Sequence, residues 1–119
     1  MIGTFDGNIP AVPYPEPSVG VGTRADVGKP RMDLLPWDAL EAVARVGTFG
    51  ASKYTDRNWE EGMAWGRVFG SMMRHAVRYA CGEDYDQETG ELHAAHIAWN
   101  ALALTAYMLR GMGAFDDRK

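Results

Sequence analysis

All three histidines of this 119-residue chain, His75, His93 and His96, fall between Arg74 and Asn100, in the stretch RHAVRYACGEDYDQETGELHAAHIAWN. Five acids, Glu83, Asp84, Asp86, Glu88 and Glu91, separate the first histidine from the second, and no Lys or Arg follows Arg78 in that interval. Imidazoles and carboxylates are the side chains that hold divalent cations. Their concentration here reads as a site rather than as an evenly charged surface. His93, His96 and Asn100 are spaced three and four apart, which on a helix puts them on one face. Buried on an apolar helix, each must find a partner or lose about 1–3 kcal/mol. A metal, a phosphate or a nucleotide base would satisfy them; so would hydrogen bonds to backbone or to the preceding acids.

The expected metal ligands are Glu83, Asp86, His93 and His96. The carboxylates among them suit Mg²⁺ or Mn²⁺, which prefer oxygen and keep several waters. Carboxylates around a phosphate chain are what metal-assisted hydrolysis needs, because the cation polarises phosphorus and acidifies an attacking water. Glu41 and Glu88 are the candidates for a further ligand or general base. Lys53, Arg74 and Arg78, with Lys29 and Arg31, are candidate phosphate partners, since Arg can grip a phosphate through two parallel hydrogen bonds. Tyr54, Asn58 and Trp59, together with Asn100, are candidates for holding a base by stacking and amide hydrogen bonds. Each group also has a plain structural reading: solvated surface charges, a loop that caps a helix, a loop anchored by Trp59. H-x-x-H without the Glu of H-E-x-x-H is not a zinc-protease motif. No G-x-S-x-G elbow, Walker A motif or dinucleotide fingerprint is present, and Cys81 has no local histidine partner for nucleophilic work.

The elements that must position these groups are helical. Residues 1–30 form a Pro/Gly-rich arm: IPAVPYPEPSVGVG holds four prolines and two glycines, which excludes regular helix. Ile9, Val12, Tyr14 and Val19 give that arm something to dock with. Residues 31–119 read as one helical domain. A first helix starts near Pro36, with Leu40, Val43, Ala44, Gly47, Ala51 and Tyr54 at helical spacing. A second runs from about Trp65 to Ala80 and stops at Gly82. Val68, Met72, His75 and Tyr79 share one of its faces. A third runs from about Glu91 to Leu109, capped by Asp86 or Thr89, and is apolar almost all round, so it is expected to be central or covered by a second subunit. The fold class is all-α: three main helices and an extended arm, completed by oligomerisation.

Composition narrows the rest. At 46% hydrophobic and 24% charged the chain is globular. One cysteine excludes an internal disulfide and fits a reducing compartment. There is no leader-like N-terminus and no run of apolar residues long enough to span a bilayer. A net charge of −4 argues against a nucleic-acid polymer as partner, while leaving room for a nucleotide.

KPRMDLLPWDAL, F-G-A-x-K-Y, N-W-x-x-G, R-H, G-E-D-x-D-x-E-T-G and H-x-x-H-x-x-x-N together resemble the phage-encoded dATP/dGTP diphosphohydrolase N-terminal domain family, over residues 28 to 110. That family is similar to the all-α NTP pyrophosphohydrolases of the MazG type. The resemblance implies homodimers or tetramers in the cytoplasm of a phage-infected bacterium. It also implies Mg²⁺- or Mn²⁺-dependent cleavage between the α- and β-phosphates, giving a nucleoside monophosphate and pyrophosphate. MazG-type enzymes carry E-x-x-E and E-x-x-D on successive helices. The nearest counterparts here are Asp38-x-x-Glu41 and His93-x-x-His96. Imidazoles in place of carboxylates favour softer metals. They also motivate a rival expectation: a phage protein that sequesters a host immune-signalling nucleotide without cutting it. A third is a helical interaction protein whose histidines are structural.

Overall fold

The computed structural model describes residues 10–16 and 20–119. Of these, the residues up to Leu35 form one unit and Pro36–Lys119 another. Among the described residues of the first unit the only regular element is a short 3₁₀ turn, Met32–Leu34. Its organiser is Arg31. The guanidinium donates to both carboxylate oxygens of Asp33 (2.6 and 3.2 Å) and to the Pro13 carbonyl (2.8 Å), and lies 4.3 Å over the Tyr14 ring. Arg31 is thereby occupied within its own unit. Ile9 and Val19, expected to dock the arm, lie outside the described residues.

The second unit is all-helical, as expected: α1 (Trp37–Lys53), α2 (Trp65–Ala80) and α3 (His93–Leu109), with 3₁₀ turns at Asn58–Glu61 and Gly113–Phe115. Among the described residues the only β pairing is an isolated bridge between Tyr85 and Leu92. α3 is the central element and packs against both α1 and α2. Against α1 the contact is made of small side chains, Ala42, Val43 and Val46 with Ala95. Gly47 permits a close approach there: a Cβ at that position would stand 2.9 Å from Trp99 Nε1. The buried stripe of α1 is therefore Ala42–Val43–Val46. Of the expected stripe, Val43 lies in the core and Gly47 faces Trp99, whereas Leu40 and Ala44 are exposed and Tyr54 sits exposed at the helix end. Against α2, α3 contributes Ala103 and the fully buried Tyr107, which pack on Trp65 and Val68 with Trp59 and Leu104 alongside.

α2 ends where the sequence says it should. Gly82 (φ +88°) takes the left-handed conformation a side chain would resist, the Gly82 N–H returns to Tyr79 O (3.0 Å) and the Glu83 N–H to Arg78 O (3.0 Å). This pair of bonds is a Schellman stop, and it delivers Glu83 at the helix end. The start of α3 differs from expectation. The Asp86 carboxylate accepts the N–H (2.9 Å) and the hydroxyl (3.0 Å) of Thr89 inside the loop, and α3 begins two residues later than Glu91 with no side-chain cap. The His93 N–H donates instead to Asp84 O (2.9 Å). The loop folds on itself because Asp86 satisfies a nearby turn before the helix can use it.

Candidate metal and nucleotide site

The acidic loop and α3 converge, and α2 supplies a third histidine. His93, His96 and Asn100 are all buried, on the inner face of α3. His75, from α2, meets His93 head-on, Nδ1 to Nδ1 at 2.9 Å, and stacks on His96 with ring centroids 4.1 Å apart and planes 10° from parallel. Beyond His96 the loop closes the group. His96 Nε2 is 2.7 Å from the Thr89 hydroxyl and 3.8 Å from Asp86 Oδ2. His93 Nε2 is buried with no hydrogen-bond partner, and the nearest charge is Glu83 Oε1 at 3.6 Å. Glu83 is itself 3.8 Å from the Arg78 guanidinium.

Burial lowers the pKa of both His75 and His96 from the ordinary imidazole value, and the neighbouring histidines add to the depression, with Asp86 pulling the other way. Both rings are therefore neutral near pH 7, the form that offers a lone pair to a metal. For Asp86, burial pushes the carboxyl up. The hydrogen bonds from Thr89 and the facing imidazoles outweigh it and hold the group below its usual value, so it is a carboxylate. One donor atom each from His75, Asp86 and His96 lies within 4.8 Å of the others. The expected ligand Glu83 stands beside this group, next to His93.

A cleft of about 820 Å³ opens on the cluster. Lys53, Tyr54, Arg74, Arg78, Glu83, Asp86, Glu88, His93, His96 and Asn100 all line it, so the structure brings together ten residues singled out in the sequence. Lys53 Nζ is paired with Glu88 (3.0 Å) across its mouth. Asn100 donates its amide to His96 O (2.8 Å), a bond within its own helix. Glu41 is not among the lining residues. Its exposed carboxylate sits 3.6 Å from Arg45, which donates to Glu91 (2.9 Å). Asn58 and Trp59 line a second cleft of about 930 Å³, which shares Tyr54, Arg74, Trp99 and Asn100 with the first. Trp59 is already engaged: Trp99 meets it edge-on at 6.1 Å, Arg110 lies 5.2 Å over its ring, and the Tyr107 hydroxyl donates to its carbonyl (2.6 Å).

His75 is the residue sequence reasoning left out of the ligand set. Its signal was position: it belongs to the same histidine-bearing segment, but helical spacing grouped it with Val68 and Met72 as packing. Thr89 was read only as a cap, and Trp99 only as an apolar residue of the third helix.

An all-α domain with a polar cleft that gathers imidazoles, carboxylates and arginines is what these elements amount to. The dATP/dGTP diphosphohydrolase N-terminal family matches residues 20–118, and the chain belongs to that family. It is similar to a protein of Salmonella phage PMBT28 named dATP/dGTP diphosphohydrolase, with 35% identity over 98 residues. The match covers 82% of this chain and 33% of the relative, so the chain spans about a third of that protein's length. No solved structure matches it.

Proposed function

We propose that this domain binds a nucleoside triphosphate, with a purine deoxynucleotide favoured by the relative's name, and hydrolyses it to the monophosphate and pyrophosphate. The observation that carries this reading is the shared wall of one cleft. Arg74 and Arg78 line it together with His75, His96 and Asp86, so anion partners and metal donors face the same space. The volume suits a nucleotide.

The residues divide the work. Arg74 and Arg78 neutralise the phosphate chain. Lys53 is paired with Glu88; an entering phosphate competes for the ammonium and frees the carboxylate to act as base. Water attacks the α-phosphorus, the bond from that phosphorus to the bridging oxygen breaks, pyrophosphate leaves with the oxygen, and the water proton passes to Glu88. The donor set at the cluster fits Mn²⁺ better than Mg²⁺, because two of its three donors are imidazoles. A bound divalent cation would supply charge neutralisation at the reacting phosphate. The setting is the cytoplasm of an infected bacterium, consistent with a phage relative and with no described helix long and apolar enough to cross a membrane. Homo-oligomerisation is part of the reading, supported by the exposed Phe69, Met73 and Val77 on one stripe of α2.

A second reading is binding without cleavage. It is favoured by one feature: Glu83, Asp86 and Glu88 already face Arg78, Thr89 and Lys53, which leaves no unengaged carboxylate among these three. A panel of dNTPs and cyclic nucleotides, incubated with Mn²⁺ and without, separates the two. Release of pyrophosphate supports hydrolysis. Glu88→Gln is then expected to lower kcat by about 100-fold or more. Arg74→Ala is expected to weaken binding by about tenfold, the loss of one charge-assisted contact. A nucleotide bound tightly and recovered intact rejects hydrolysis and leaves the binding reading.

A further inference from the structure

The geometry points to His75, His96 and Asp86 as a three-ligand centre for a borderline transition ion, with His93 and Glu83 behind it as the pair that sets His75 in its ligating tautomer. The inference deepens the proposed function, since it names the cation and ligands of the same cleft, but ion binding is measurable without any nucleotide.

The argument begins with the two facing nitrogens. His75 Nδ1 and His93 Nδ1 are 2.9 Å apart, so one carries the proton and the other accepts it. Suppose His93 carried it. A neutral His93 would then present a bare Nε2 lone pair to the Glu83 carboxylate 3.6 Å away, two acceptors facing each other in a buried spot. With the proton on His75 instead, His93 accepts at Nδ1 and points its Nε2–H at Glu83. That arrangement turns a donor, not a second acceptor, toward the Glu83 carboxylate, although at 3.6 Å the two are not hydrogen-bonded. His75 is then protonated at Nδ1, and its Nε2 is left with a lone pair. A metal-bound histidine characteristically donates its other ring N–H to an orienting partner. Here that partner is a second imidazole, itself oriented by a carboxylate.

On the other side, the Thr89 hydroxyl stands 3.0 Å from Asp86 Oδ2 and 2.7 Å from His96 Nε2, and holds both at the cluster. Two neutral imidazoles and one carboxylate favour Mn²⁺, Co²⁺, Ni²⁺ or Zn²⁺ over Mg²⁺, which binds through oxygen. The His75 and His96 rings are nearly parallel, so their lone pairs do too little converging. Ion entry splays them apart, which is a second measurable consequence. Three protein ligands leave coordination positions open for phosphate oxygens.

The test uses the full chain, stripped with chelator and titrated with Co²⁺, whose visible absorption reports geometry, alongside calorimetry with Mn²⁺, Zn²⁺ and Mg²⁺. One equivalent of Co²⁺ is expected to bind without nucleotide, with Mg²⁺ much weaker. His75→Ala, His96→Ala and Asp86→Asn, each confirmed as folded by circular dichroism, should lose Co²⁺ binding by about 100-fold or more. His93→Leu should bind about 10–100-fold more weakly with an altered spectrum. His93→Gln, whose amide oxygen accepts the His75 N–H, should restore most of that loss. The proposal is overturned if folded protein binds no Co²⁺, if Mg²⁺ binds as tightly, or if His93→Gln abolishes binding while His75→Ala leaves it intact. Co²⁺ binding without pyrophosphate release rejects only hydrolysis. Mg²⁺-supported release without Co²⁺ binding rejects only this centre.

Discussion

One face of α3 carries two kinds of chemistry. His93, His96, Asn100, Ala103 and Tyr107 follow one another along its inner side and all are buried. In the second half, Ala103 and Tyr107 fit into an aromatic core with Trp65 and Trp59; the Tyr107 hydroxyl ends on Trp59 O, while the buried Trp65 Nε1 has no hydrogen-bond partner. In the first half, two imidazoles and an amide face α2 and the loop, beside a core of alanines and valines against which Trp99 packs. There a buried ring nitrogen of His93 goes without a hydrogen bond. Each end leaves one buried ring nitrogen unmatched, but only the histidine end gathers lone pairs and a carboxylate within reach of one another. The Trp65 indole is a donor only and cannot ligate a cation, so the tyrosine end serves packing, whereas the imidazoles and carboxylate of the histidine end are organised for something more than holding the helices together.

Stability measurements on chelated protein should separate the two ends. Tyr107→Ala removes a fully buried large side chain and should cost about 3–5 kcal/mol in urea unfolding. Co²⁺ affinity of the folded fraction should stay unchanged. A comparable loss of ion affinity in that variant would mean the ends are coupled and the comparison is wrong.

Acid should act on one end only. Burial puts the folded-state pKa of His75 and His96 below their ordinary 6.5. Between those values the unfolded chain binds more protons than the folded one. Stability is therefore complete above the unfolded pKa, and is lost as pH falls from there through the folded value. Tyr107 has its pKa raised by burial from an ordinary value of 10.0, so it stays protonated throughout that window. Denaturant midpoints measured across it should slope for the native sequence and for Tyr107→Phe alike, and should flatten when His75 and His96 are replaced together.

A smaller effect follows from the facing nitrogens. Removing both at once, in His75→Leu with His93→Leu, deletes a polar pair whose far side is unmatched. Replacing both partners by apolar groups is nearly neutral or stabilising, so the double variant without metal should lie within about 1 kcal/mol of the parent. Tyr107→Phe, losing a matched bond, should cost about 1 kcal/mol. A double histidine variant that costs several times more would show that the pair is a structural bridge, and would weaken the case for a site.

Much of this was legible beforehand. The boundaries of α2, the stop at Gly82 and the shared face of His93, His96 and Asn100 follow from local chemistry: period, glycine, and apolar spacing. Family membership was legible too, because its motifs, spread over residues 28–110, are each short runs of neighbouring residues. The buried stripe of α1 was only partly legible: Val43 and Gly47 face the core as expected, Leu40 and Ala44 do not, and Ala42 and Val46 were missed. Small residues recur on several of its faces, and only the packing against Ala95 and Trp99 selects one. The capping role given to Asp86 and Thr89 also failed, since each found the other within its own turn.

The chain's own order of residues was enough to specify three helices, an acidic turn and two histidines on one helical face, because each depends on neighbours within a few positions. Which histidine from another helix would join them was a matter of assembly. The angle and depth at which α2 meets α3 bring His75 against His93 and His96, and put Arg74 and Arg78 on the same cleft wall. Helical periodicity says which way a side chain leaves its own helix. Contact across helices depends on how two surfaces and the loop between them pack, and no local pattern encodes that.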